Sequence, residues 1–202
     1  MMTDTHLGRL LPACLHQAIN DVMPSRLDYY EEWLSPDGLR DGNIGLAPVT
    51  AVLGFLRTEG EAYHAVLARA GTLAADWTLA SSPSFGRRVG TVLPLRFRAY
   101  FGLRVVRRIA ADVLARTVAS TRLRRGRATL RLNGSVFCTT RGLHARPLCD
   151  FYAALAVETL RHFQVAATAN IESCRAVDGA SQCVVAIDIG GAARQAEPAR
   201  AA

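Results

Sequence analysis

Residues 135–189 read SVFCTTRGLHARPLCDFYAALAVETLRHFQVAATANIESCRAVDGASQCVVAIDI. This stretch holds four of the five cysteines, Cys138, Cys149, Cys174 and Cys183. Just upstream, Arg127 to Cys138 alternates Ala128, Leu130 and Leu132 against Thr129, Arg131 and Asn133, the period of a half-buried strand. Pro147 suits the first turn of a helix. Behind it Leu148, Phe151, Tyr152, Leu155, Val157, Leu160 and Phe163 follow at helical spacing, with Asp150 and Glu158 set on the other side. From Val165 to Arg175 the period returns to two, with Ala167, Ala169, Ile171 and Ser173 opposing Thr168, Asn170, Glu172 and Cys174. Asp178-Gly179 is a hairpin-turn pair, and Gln182 to Ile189 is a β-branched closing strand. The pattern is β–α–β–β.

The N-terminal half reads as helices. Leu7 to Met23 has one broad apolar face including Cys14, with Pro12 as a kink. Ser25 to Leu34 forms a short acidic and aromatic helix that closes at Ser35-Pro36-Asp37-Gly38. Ala47 to Leu56 is apolar nearly all round, so Val49, Ala51, Val52, Leu53 and Phe55 are expected to be buried. Glu61 to Ala80 is an Ala-rich helix, broken by the loop from Ser81 to Gly90. The expected fold is therefore α/β (α+β), with N-terminal helices packed on a small antiparallel sheet. One domain spans 1–190, and 191–202 is a disordered tail.

Segments of residues 135–183 resemble the four-vinyl-reductase domain, also described as a predicted hydrocarbon-binding domain, whose fold is shared with the TRAPP subunits of vesicle trafficking. The matching residues are Ser135-Val136-Phe137-Cys138, then Pro147-Leu148-Cys149-Asp150-Phe151-Tyr152, then Glu172-Ser173-Cys174 with Gly179 and Cys183. The resemblance implies a protein that binds a small apolar or tetrapyrrole-like ligand as carrier, sensor or assembly factor, since the family includes bacteriochlorophyll-synthesis members. Two alternatives go with it. One is an interaction module that dimerises through helices, as TRAPP subunits do. The other is a vinyl reductase working with a separate redox partner. A ligand would be enclosed by the Pro147–Phe163 helix (Phe151, Tyr152, Leu155), the sheet and the aromatic Tyr30, Trp33 and Phe55. Arg141, His144 and Arg146 would stand at the mouth, where arginines suit a carboxylate.

Cys149 opens a helix, and Cys174 and Cys183 flank the Asp178-Gly179 turn, so the three thiols can meet. Zinc, buried free thiols and a disulfide are all compatible with that placement. In phenol-sensing bacterial activators related to the family, three cysteines at matching places hold zinc with an upstream carboxylate. The resemblance carries that role to Cys149, Cys174 and Cys183. Here the Cys174–Cys183 spacing is one residue longer and no Glu precedes Cys149 in the strand. The fourth ligand would be Cys138, His144 or Glu172.

All 24 basic residues are Arg, giving a net charge of +7. Thirteen of them lie within residues 87–131 against one acid, Asp112. On a helix, Arg96, Arg104, Arg107 and Arg108 share one sector, opposite Ala99, Val106, Ile109, Ala110 and Val113. Such a face is a solvated surface, or it meets an acidic protein, an anionic membrane or nucleic acid phosphates. Sequence-specific nucleic-acid reading is not expected, because no helix-turn-helix, zinc-finger or RNP pattern occurs. No nucleotide-binding fingerprint, P-loop, G-x-S-x-G or H-E-x-x-H is present, so no catalytic residue is assigned. The absence of a long apolar run, of a signal peptide and of a regular cysteine framework points to a cytoplasmic protein; a homodimer is what the resemblance to TRAPP subunits implies.

Overall fold

A computed structural model describes residues 8–42, 44–80, 93–113, 117–140 and 142–190. Helices α1 (Leu10–Val22), α2 (Leu27–Glu31), α3 (Pro36–Asp41), α4 (Leu46–Leu56), α5 (Glu61–Ala80) and α6 (Leu95–Asp112) precede strands β1 (Val118–Arg124) and β2 (Arg127–Asn133). Helix α7 (Asp150–His162), strand β3 (Ala167–Ser173), the one-turn helix α8 (Arg175–Asp178) and strand β4 (Cys183–Ile189) complete the order. The α+β architecture expected from the sequence is present. The loop from Ser81 to Gly90 and the tail 191–202 lie outside the described residues.

The sheet is antiparallel throughout, in the order β1-β2-β4-β3. Its inner face follows the sequence alternation: Ala128, Leu130 and Leu132 pair with Ile187, Val185 and Cys183, and all six are at most 1% exposed. Helix α7 lies against β3 and β4, and α5 and α6 pack on α7. Its Phe151 and Tyr152 rings meet Phe137 at centroid distances of 5.1 and 5.3 Å. One continuous core therefore links the N-terminal helices to the sheet.

Strand β1 has no counterpart in the sequence reading. It pairs with β2 through the two-residue turn Arg125-Gly126, whose φ angles are 50° and 81°. Positive φ at both positions is what a tight hairpin demands. Arginine is an unusual residue there, so the run RLRRGRA does not announce a turn. The remaining corrections are local. Val136–Cys138 is a 3-10 turn instead of the end of the strand. Asp178-Gly179 does not form a two-residue hairpin: it ends α8, with Gly179 as the left-handed cap at φ 67°. Ser35 opens a helix where a closing turn was expected, accepting a hydrogen bond from the Gly38 N–H at 3.2 Å. Pro12 falls in the first turn of α1, where its missing N–H breaks no helical bond. Phe55 is 40% exposed, because α4 buries only Val49, Val52, Leu53 and Leu56. Glu158 stays on the polar side of α7 but is covered there, held by both Nε and Nη2 of Arg161.

Helix α5 comes closest to α7 at Gly71. A Cβ there would lie 2.2 Å from the Phe151 carbonyl oxygen and 3.0 Å from the Leu155 nitrogen. Both obstacles are backbone, so relief requires the helices to separate. Gly71→Ala is expected to cost at least about 2 kcal/mol despite the better helix propensity of alanine. Urea denaturation of the two proteins checks this.

Candidate functional site

Four cysteines from four separate segments meet in the core. Cys138 ends the 3-10 turn after β2, Cys149 caps α7, Cys174 follows β3 and Cys183 begins β4. All are at most 4% exposed. The Cys138 sulfur lies 3.0 Å from that of Cys149, 3.4 Å from Cys174 and 3.3 Å from Cys183. Cys149 and Cys174 are 3.6 Å apart, and all four sulfurs fall within 4.8 Å of one another. No disulfide joins the described cysteines. Hydrogen bonding from the neighbouring sulfurs, Cys138 first, holds the Cys174 and Cys183 thiols below the ordinary range. The Cys149 thiol is pushed up, first by its bond with Cys138.

The donor set fits a four-coordinate metal ion. A tetrahedral zinc with Zn–S bonds of ~2.3 Å has sulfur–sulfur edges of about 3.8 Å. Reaching that needs shifts of under about 1 Å: the shortest pair, Cys138–Cys149 at 3.0 Å, widens most, and the Cys149–Cys174 pair at 3.6 Å is already close. Backbone amides support the sulfurs: the Leu148 N–H donates to Cys174 Sγ at 3.4 Å, and the Arg175 N–H reaches Cys183. Such outer bonds fix ligand orientation.

Of the three residues expected to complete the set, the structure brings in Cys138. Glu172 is instead bound to Arg127 at 2.5 Å on the exposed side of β3. His144 stays outside the group, its backbone N–H donating to the Ala176 carbonyl at 2.6 Å. Cys14, expected as plain core, is fully buried on α1, and burial pushes its thiol up to about 12.

Two residues unmarked in the sequence tie the N-terminal helices to this cluster. Arg57 Nη2 donates to the Phe137 carbonyl at 3.0 Å, one residue before Cys138. The Tyr63 hydroxyl donates to the Leu148 carbonyl at 3.1 Å, one residue before Cys149. An arginine among 24 and a tyrosine on a helix carry no local signal for such a role. Each histidine that looks solitary in helices α1, α5 and α7 is paired with a carboxylate: His16 with Glu31 at 2.9 Å, His64 with Asp150 at 2.8 Å and His162 with Asp76 at 2.6 Å.

The residues expected to line a ligand pocket are not gathered round one space. Phe151, Tyr152 and Leu155 are fully buried and Tyr30 is 1% exposed. Trp33 and Phe55 stack with Tyr29 near the surface, with centroids 5.0 to 5.6 Å apart. Arg141 lies outside the described residues. Two shallow clefts open on the other side of α7. One, of about 230 Å³, is lined by His64, Arg146, Pro147, Asp150, Ala153, Ala169, Asn170 and Ile171. The other, of about 310 Å³, shares Asp150, Ala153 and Ala169 with it and continues along Ala68, Thr72, Ala154 and Val157. Arg146 thus borders a cleft, where it also pairs with Glu61.

No protein-family model and no curated protein matches the chain. Solved structures do. A trafficking protein particle complex subunit 3 from Naegleria fowleri, covalently bound to palmitic acid, superposes with a TM-score of 0.53 at 10% identity, over 73% of this chain and 96% of that one. An H-NOX protein from S. oneidensis in the Fe(II)NO ligation state gives 0.54 at 13% identity, over 92% and 100%. These likenesses show a shared fold. No described helix is long and apolar enough to cross a membrane.

Tyr63→Phe removes the hydroxyl and leaves the Leu148 carbonyl without that bond. It is expected to destabilise the protein by about 1–3 kcal/mol, read from thermal or urea unfolding, with secondary structure retained by circular dichroism.

Proposed function

We propose that this is a small-ligand-binding protein of the hydrocarbon-binding type, whose C-terminal half is pinned by one zinc ion on Cys138, Cys149, Cys174 and Cys183. The observation that carries the metal is the convergence of four buried sulfurs at 3.0–3.6 Å contacts with no other donor among them. A four-cysteine set with no open position is a structural zinc site. Its ion would lock the 3-10 turn, the start of α7 and the β3–β4 connection to one another.

Ligand binding is supported by the fold shared with proteins solved with palmitic acid or in an Fe(II)NO state. The adjoining clefts combine small apolar side chains (Ala153, Ala154, Val157, Ala169) with polar groups (His64, Arg146, Asp150, Asn170, Glu158), a mixed lining that can hold a small ligand by contact and by polar anchors. A tetrapyrrole-like ligand, a place in bacteriochlorophyll metabolism and vinyl reduction with a separate redox partner are readings taken from the family resemblance. The protein would act as carrier, sensor or assembly factor, by binding rather than turnover. A second reading, an interaction module docking an acidic or anionic partner, is favoured by the outward arginines of α6.

Purified protein is expected to hold one zinc per chain. Cys138→Ser should lower that content as much as Cys149→Ser, whereas Glu172→Ala and His144→Ala leave it unchanged. Retained zinc in Cys138→Ser would remove Cys138 from the ligand set. For the ligand, mass spectrometry of organic extracts should find a lipid-like or tetrapyrrole molecule in stoichiometric amount. A chain that neither carries nor takes up such a molecule would leave the interaction module.

A further inference from the structure

Helix α6 buries one side and leaves the other bare. At 100° per residue, Arg96, Phe97, Tyr100, Arg104, Arg107 and Arg108 fall in one arc of about 120°. Ala99, Val106 and Ile109 occupy the opposite side, with Leu103 and Ala110 on its flank; all five are buried where α6 packs on α7 and β1. The four arginines are exposed. Arg108 approaches Asp112 at 4.0 Å, and neither Arg104 nor Arg107 has an ion pair among the described residues. The aromatic residues in the same arc are uncovered as well, Phe97 at 43% and Tyr100 at 53% exposure. Next to them Leu95 is 42% exposed at the start of the helix. The outward face is therefore apolar and aromatic at its N-terminal end and cationic along its length, with no acid in the arc.

We propose that this face seats the protein on an anionic lipid surface, with the arginines on headgroup phosphates and Phe97, Tyr100 and Leu95 at the edge of the acyl layer. This deepens the second reading above by naming the partner's chemistry. The arginines run from Arg96 to Arg108, about 18 Å along the helix, a length that meets several headgroup phosphates. Arginine attracts anionic lipid, and aromatic rings settle at headgroup depth. Nucleic acid fits less well. Stacking of bases needs open ring faces, whereas the Arg96 guanidinium lies 5.0 Å over the Phe97 ring and Tyr100 packs edge-on against Phe101 at 5.7 Å.

The test is co-sedimentation of the purified full chain with phosphatidylglycerol-rich vesicles and with phosphatidylcholine vesicles. Binding to the anionic vesicles only, weakening steeply as salt rises, is the expected result. Replacing Arg104 and Arg107 by Glu should weaken partition by about fivefold or more for each charge lost. Phe97→Ser with Tyr100→Ser should weaken it again, including at high salt, with an unchanged thermal melt. Equal binding to both vesicle types, or indifference to both pairs of substitutions, overturns the proposal. So does binding of RNA or an acidic protein through this face while vesicles are ignored; that outcome would leave the interaction-module reading standing. Should a variant fail to fold, the lipid and salt dependence of the unsubstituted protein decides alone.

Discussion

The convergence of four cysteine sulfurs is the constraint on which the C-terminal half depends. Each sulfur arrives on a different segment, and three of those segments are turns or element ends with little regular hydrogen bonding of their own. Around them, the Phe137–Phe151–Tyr152 rings and the inner face of β2 and β4 supply apolar packing. Packing alone is non-directional and would not set where the 3-10 turn, α7 and the β3–β4 connection stand relative to each other. The four sulfurs meet where those segments join, and Arg57 and Tyr63 link that place to the α4–α5 region through single carbonyls.

The same arrangement divides the molecule. The core face of α7 is filled by large rings and is closed to ligands, while its outer face carries Ala153, Ala154 and Val157 beside the Ala68 and Thr72 side of α5. Small residues there leave the concavity. The close approach at Gly71 belongs to the same economy of space, since it allows α5 and α7 to pack backbone on backbone. The clefts and the cysteine cluster thus lie at different places on one helix, the clefts along its outer face and Cys149 at its start.

Much of this was legible in the sequence. The period-two alternation around Leu130 and Ile171 and the helical run from Phe151 to Leu160 give the sheet faces and the central helix directly, because burial imposes those periods. The cysteines could be marked as a group because their segments fold back on each other. The identity of the fourth member could not be read, since whether Cys138, His144 or Glu172 turns inward depends on a 3-10 turn and on the pull of Arg127 on Glu172. Strand β1 escaped notice because its turn uses arginine at a positive φ and because no position of the strand is fully buried: Val118 and Ser120 are exposed along with Arg122 and Arg124. The aromatic residues Trp33 and Phe55 looked like core or pocket, yet they stack on one another at the surface. Composition does not distinguish those fates.

The central claim, one ion held by four sulfurs, is tested most directly by X-ray absorption at the zinc edge on the purified protein. The account predicts a first shell of four sulfur atoms at ~2.3 Å with no nitrogen or oxygen scatterer. A shell containing a light atom, or folded protein that carries no zinc and shows four free thiols, would contradict it.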